Sequence, residues 1–183
     1  MRIEDAFEVP ASIDESWRLL NDVPAVLPCM PGAELVEVVE ENDWKAKLHV
    51  KLGPIALQFV ADVTRTQVDE AAHRVVLAVK AREAKGRGSA EATIESSLAR
   101  AGDGTHVALV TELALRGAVA QYGRGVVADV ATRLTAQFAE CIAGKLAVTA
   151  EQPSLAGGAE PIRGLRLVLG ALWRSLFRGG GGR

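Results

Sequence analysis

Between Lys45 and Leu115 the chain alternates apolar and polar residues with a period of two, and it then switches to a helical period for about thirty residues. Ala46, Leu48 and Val50 oppose Lys45, Lys47, His49 and Lys51. After the Gly53-Pro54 break, Ile55, Leu57, Phe59, Ala61 and Val63 alternate with Gln58, Asp62, Thr64 and Thr66. The same pattern carries Val75, Leu77, Val79 and Ala81, and then Gly88, Ala90, Ala92, Ile94 and Leu98. Beyond the Gly102-Asp103-Gly104-Thr105 turn it continues through Val107, Leu109, Thr111, Leu113 and Leu115. Successive side chains of a strand point to opposite faces, so the pattern specifies antiparallel strands with one wet face. From about Ala118 to about Ala147, Val119, Tyr122, Val126, Val130, Leu134, Phe138, Ile142 and Leu146 recur every three or four residues, as on one face of a helix. Such a helix is roughly 45 Å long, enough to cross the whole sheet.

The N-terminal part adds smaller elements. Ile3 to Val9 reads as a strand closed by Pro10. Ser12 with Glu15 three residues on is a capping-box signature for a short helix holding Trp17, Leu19 and Leu20. Asn21-Asp22-Val23-Pro24 opens a second short helix toward Leu27, which Pro28 and Pro31-Gly32 are expected to stop. Leu35, Val36, Val38 and Val39 form a strand, and Glu40 to Asp43 turn it. The order is strand, two small helices, about six strands and one long C-terminal helix. This predicts an α+β helix-grip fold: a curved antiparallel sheet of about seven strands around the long helix.

Hydrophobic residues make up 49% of the chain but aromatics only 4%, so alanine and valine carry much of the apolar content. Small side chains line space more readily than they fill it, which favours an internal cavity; close approach of the elements is the alternative. Gly117, Ala118, Ala120, Gly123, Ala128 and Ala131 are expected on the helix face toward the sheet, opposite Ala81, Gly88, Ala90 and Ala92. The histidines, His49, His73 and His106, fall on outer faces or at a turn without metal-ligand spacing, and no metal site is expected. Asp62, Glu91, Glu95 and Glu112 sit at polar positions of the alternation, and no inward carboxylate is found for acid–base work. No nucleophile elbow, P-loop or dinucleotide fingerprint occurs, so no catalytic residue is assigned. Thr111 and Tyr122 are the polar groups expected to face the cavity. Cys29 and Cys141 read as small buried hydrophobes in a reducing cytosol. With no leader-like start and a pI near 6, the chain is expected in the cytoplasm, without a nucleic-acid partner.

The last segment is of another kind. Pro161 to Arg183 holds five arginines and no acid, whereas the preceding 160 residues carry a net charge of −7. On a helical wheel Ile162, Leu165, Val168, Leu169, Leu172, Trp173, Leu176 and Phe177 fill one half, and Arg163, Arg174 and Arg178 cluster on the other. Arg166 lies at the apolar edge, where its stem can snorkel. These features suit a helix lying in an anionic membrane interface, with a partner groove or self-docking as alternatives. At roughly 25 Å its seventeen helical residues are too short for a ~30 Å span. The predicted organisation is a domain at 1–148, a flexible linker at 149–161 and a basic amphipathic tail at 162–183.

Several stretches resemble the CoxG family of carbon monoxide dehydrogenase, within the START/polyketide-cyclase-like (SRPBCC) superfamily. They are Phe7-Glu8-Val9-Pro10-Ala11 with Glu15-Ser16-Trp17, Leu20-Asn21-Asp22, and Leu27-Pro28-Cys29-Met30-Pro31-Gly32-Ala33. Val50-Lys51-Leu52-Gly53-Pro54-Ile55, Gly86-x-Gly88, Gly104-Thr105, Gly117 and Tyr122-Gly123 continue the match. The resemblance covers roughly Met1 to Leu146 and implies a hydrophobic tunnel between sheet and helix. It also implies service to a molybdenum-containing dehydrogenase, in its maturation or its recruitment to the membrane. Combined with the tail, it points to a non-enzymatic adaptor for a hydrophobic small molecule, such as menaquinone or another prenyl lipid. Such an adaptor would sit peripherally on the cytoplasmic face of the inner membrane. A recruitment factor without a ligand, or a small cyclase- or hydratase-type enzyme, are the alternatives. The expected ligand contacts are Trp17, Leu27, Met30, Leu48, Val50, Leu57, Phe59, Leu77, Val79, Ala90, Ala92, Leu109, Thr111, Leu113, Tyr122, Val126, Val127, Val130 and Leu134. The expected membrane contacts are Arg163, Leu165, Arg166, Leu169, Leu172, Trp173, Arg174, Leu176, Phe177 and Arg178.

Overall fold

Seven strands form one antiparallel sheet in the order β1-β7-β6-β5-β4-β3-β2. They are β1 (Arg2–Val9), β2 (Ala33–Glu40), β3 (Asp43–Leu52), β4 (Ile55–Asp69), β5 (Arg74–Glu83), β6 (Gly88–Ala101) and β7 (Gly104–Gly117). The computed structural model describes residues 1–52 and 55–151, and the tail contacts expected at 162–183 lie outside the described residues. Between β1 and β2 the chain forms α1 (Ile13–Asn21), α2 (Val23–Val26) and a 3₁₀ turn, Leu27–Cys29; α3 (Gly123–Glu151) follows β7 after a second 3₁₀ segment, Ala118–Tyr122. The helix-grip architecture expected from the alternation is the one observed.

Local chemistry explains the small elements. Ser12 Oγ accepts from the Glu15 amide at 3.3 Å, and the Glu15 carboxylate accepts from the Ser12 amide at 3.1 Å, so two amides at the start of α1 are satisfied reciprocally. The Asp22 carboxylate accepts from the Ala25 amide at 3.0 Å and starts α2. Pro28 does not stop this segment as expected. It sits in the first turn of the 3₁₀ segment, where a missing amide hydrogen costs nothing.

Two further expectations are corrected here. The long helix begins at Gly123, not Ala118, because Gly117 and Gly123 both have positive φ, 77° and 79°, and break the chain into a separate turn. The turn is held close: a Cβ on Gly88 would collide with the Arg116 carbonyl and the Val119 side chain. Ala118, Ala120 and Gly123 are consequently exposed instead of facing the sheet. At its other end α3 runs to Glu151, so the linker expected from 149 begins inside the helix.

Cys29 and Cys141 are not free thiols but form a disulfide, with Cα atoms 5.4 Å apart across 112 residues of sequence. The 3₁₀ turn packs on the C-terminal half of α3, and that meeting is invisible in the cysteine spacing. Cysteine usage therefore no longer argues for a reducing compartment. The disulfide belongs to a core cluster of Val9, Ala11, Val26, Ile142 and Leu146. Phe7 and Phe138 meet edge-to-face beside it, with ring centroids 6.1 Å apart. The barrel is thus filled around the C-terminal half of α3, whereas the N-terminal half stands off from the sheet.

Candidate functional site: an apolar cavity under the long helix

That standoff leaves a cavity of about 430 Å³, within the range of pockets that hold small molecules. Its walls are the inward faces of β3 to β7, the α2 and 3₁₀ segment, and the α3 face formed by Val127, Val130, Ala131, Leu134, Thr135 and Phe138. From Val127 to Phe138 the helix advances roughly 16 Å, which sets the length of the cavity. Ala46, Ala61, Ala81, Ala90 and Ala92 line the sheet side, where larger residues would close the space.

Leu27, Met30, Leu48, Val50, Leu57, Phe59, Leu77, Val79, Ala90, Ala92, Leu109, Thr111, Leu113, Tyr122, Val127, Val130 and Leu134 all line this cavity, as expected from their positions in the alternation. Two expected contacts do not. Trp17 packs instead against the cluster of Ile13, Leu98 and Val107, with its ring edge-to-face on His73 at 5.4 Å. Val126 is 45% exposed, because one residue on an α-helix is a turn of about 100° and Val127 occupies the inward position. Further lining residues were signalled by the same periodicities: Val75, Ile94 and Leu115 by strand parity, Thr135 and Phe138 by helical spacing. Phe7, Leu20 and Val23 could not be placed from sequence, since only the folding back of α1 and α2 brings them to the cavity.

The polar inventory is small. Lys47, Ser96, Thr111, Tyr122 and Thr135 are its polar members. Thr135 is within 3.3 Å of the Asp5 carboxylate, to which it donates. The hydroxyls of Thr111 and Tyr122 have no hydrogen-bond partner among the described residues. Both can therefore donate to, or accept from, a bound molecule.

The expectation that no carboxylate points inward is also corrected. Glu83, at the end of β5, has the inward parity of Ala81 and Val79 and is only 4% exposed. It does not line the cavity. Arg87 donates to it at 2.7 Å, and the Lys85 and Arg87 amides donate at 2.9 and 3.1 Å. Chiefly the Arg87 guanidinium, with those amides, lowers its pKa to about 2 against the opposing effect of burial. A carboxylate so held is a poor proton acceptor and serves to fasten the β5–β6 turn. Because its folded pKa is depressed, its contribution to stability is complete above the unfolded value near 4.5 and is lost as pH falls toward about 2. Urea midpoints should fall through that interval, and Glu83→Gln should flatten the dependence; an unchanged acid limb would refute the role assigned to Glu83.

Asp62, Glu91 and Glu112 are exposed as expected, and Glu95 pairs with Arg74 at 2.7 Å on the outer face. Among the described residues no group of three His, Cys, Asp or Glu side chains is placed to hold a metal ion. Among them, too, no helix is long and apolar enough to cross a membrane.

Comparison with known proteins places this geometry. The fold is shared with a conserved protein from Geobacillus kaustophilus, at a TM-score of 0.73 and 21% identity over 81% of this chain and 97% of the other. It is shared also with the Zhui aromatase/cyclase from Streptomyces sp. R1128, at 0.58 and 16% identity over 86% and 99%. A START superfamily protein from Mycobacterium smegmatis matches at 0.54 and 14% identity over 81% and 98%. No curated protein matches the chain. The family profile of CoxG, a carbon monoxide dehydrogenase subunit, matches residues 6–147, which takes in the whole sheet, the disulfide and nearly all of the long helix. The chain belongs to the CoxG family of carbon monoxide dehydrogenase.

Proposed function

We propose that this protein is a carrier for a hydrophobic small molecule, and that it links a molybdenum-containing carbon monoxide dehydrogenase-type enzyme to the quinone pool of a membrane. The observation that carries the reading is the cavity, aliphatic along its length with two unpaired hydroxyls, Thr111 and Tyr122. A prenyl quinone has that chemistry: an apolar tail and two carbonyl oxygens that accept hydrogen bonds. Burying such a ligand removes apolar surface from water at about 25 cal/mol per Å², while two hydroxyl contacts fix its orientation. Electrons leaving the dehydrogenase need an acceptor that water does not dissolve, and a cavity-bearing adaptor supplies it. The basic amphipathic segment 162–183 holds the carrier at the membrane in this reading.

Native mass spectrometry after incubation with menaquinone-4 vesicles tests the ligand. The expected spectrum shows one quinone per chain; a protein that stays empty under saturating quinone removes the carrier reading. Deleting Pro161 to Arg183 should release the protein from the membrane fraction while leaving quinone binding within about twofold. Membrane association that survives the deletion refutes the tail's role.

A further inference from the structure

The turns of the antiparallel sheet alternate between two ends of the barrel, and the two ends carry opposite charge. At one end are the β2–β3, β4–β5 and β6–β7 turns, whose charged residues are acidic: Glu40, Glu41 and Asp43, then Asp69 and Glu70, then Asp103. At the other end lie the termini of β3 and β4, the β5–β6 turn, and the passage from β7 into α3. Lys51, Arg82, Lys85, Arg87, Arg116 and Arg124 belong to it. Its one acid within the same reach is Glu83, which is buried and neutralised by Arg87. Arg116 lies 3.7 Å from Glu91 on an exposed surface, a pair worth little in water. Lys51, Arg82, Lys85 and Arg124 are exposed and form no ion pair among the described residues.

We infer that this basic end of the barrel is a second membrane-docking surface, which seats the carrier with this end of its cavity against an anionic lipid surface. The inference rests on the membrane-linked reading above and assigns a part of the body to it. Three observations favour lipid over an acidic protein. The cavity walls run out to this end through Val50, Leu57, Leu115 and Tyr122. Exposed apolar side chains, Ala118, Ala120 and Val126, are interspersed with the cations, as shallow interfacial contact requires. The cations also come from separate loops spread over the end, without a pocket between them for an acidic side chain. The acidic end is turned away from the bilayer by the same field.

The test uses the full chain and vesicles without quinone, so that a wrong ligand assignment leaves the measurement untouched. Partition onto phosphatidylcholine vesicles with and without phosphatidylglycerol is measured for the wild type and two variants of equal charge change. One variant carries Lys51→Gln, Lys85→Gln and Arg124→Gln. The other carries Arg18→Gln, Arg100→Gln and Arg133→Gln, away from the basic end. Each cation near an anionic surface contributes enough that the first variant should partition roughly 100-fold more weakly on anionic vesicles. The second should change only a few-fold, and salt should erase the difference. Equal losses in both variants would mean that net charge alone matters and would overturn the proposal. So would an unchanged partition of the first variant, and if that variant also failed to capture the dehydrogenase, the end would belong to an acidic protein. Superimposable thermal melts of all three proteins exclude misfolding as the cause.

Discussion

Reduction of the Cys29–Cys141 bridge, or replacement of both cysteines by serine, is expected to lower the unfolding free energy by roughly 2–5 kcal/mol. The bridge closes a loop with a sequence separation of 112 residues, and a long closed loop removes much entropy from the unfolded chain. In a domain of this size the loss corresponds to a fall in Tm on the order of 10 °C. The effect should also reach the cavity. Leu27 and Met30 flank Cys29 and line the apolar space, so untying the 3₁₀ turn from α3 frees part of its wall. Quinone dissociation should accelerate in the reduced protein. Paired melts with and without a dithiol reductant check the first statement; superimposed curves would show that the bridge contributes nothing.

Ala92→Phe is expected to abolish most ligand binding while leaving the fold intact. Ala92 is opposite Val79 and Leu113 on neighbouring strands and lines the cavity beside Ala90. A phenyl ring there occupies space that a bound molecule would need. In a packed core the same substitution would cost ~1–3 kcal/mol through overpacking. In a void, the ring buries apolar surface and stability should hold or rise by about 1 kcal/mol. Affinity for menaquinone-4 should fall by at least about 100-fold, a loss of roughly 3 kcal/mol. A variant that binds quinone as well as the wild type would place the ligand elsewhere; one that unfolds would show that the interior was filled. Capture of the dehydrogenase should survive, because no outer surface changes.

Much of the cavity was legible in the order of residues because strand parity and helical period assign each side chain to a face before any contact is known. Leu57, Phe59, Val79, Ala90 and Leu113 follow from a period of two, and Val130 and Leu134 from a period of 3.6. Errors arose where a local break reset the phase. Gly123 starts α3 later than the apolar spacing suggested, which left Ala118 and Ala120 outside and made Val127 the lining residue in place of Val126. Trp17 was misplaced for a different reason: α1 presents it to Leu98 and Val107, and the docking of α1 depends on partners about ninety residues away.

The family, the antiparallel sheet and the apolar character of its interior were determined by sequence alone, because each is written in short-range periodicity or in motifs of adjacent residues. The disulfide, the buried Glu83 and the basic end of a body whose net charge is negative were decided only by tertiary structure. Each depends on which turns and helix ends meet. Lys51, Lys85, Arg116 and Arg124 are spread over 73 positions with acids between them, and no linear reading groups them. Antiparallel strands send alternate turns to opposite ends, and that sorting separates the charges the chain itself keeps mixed.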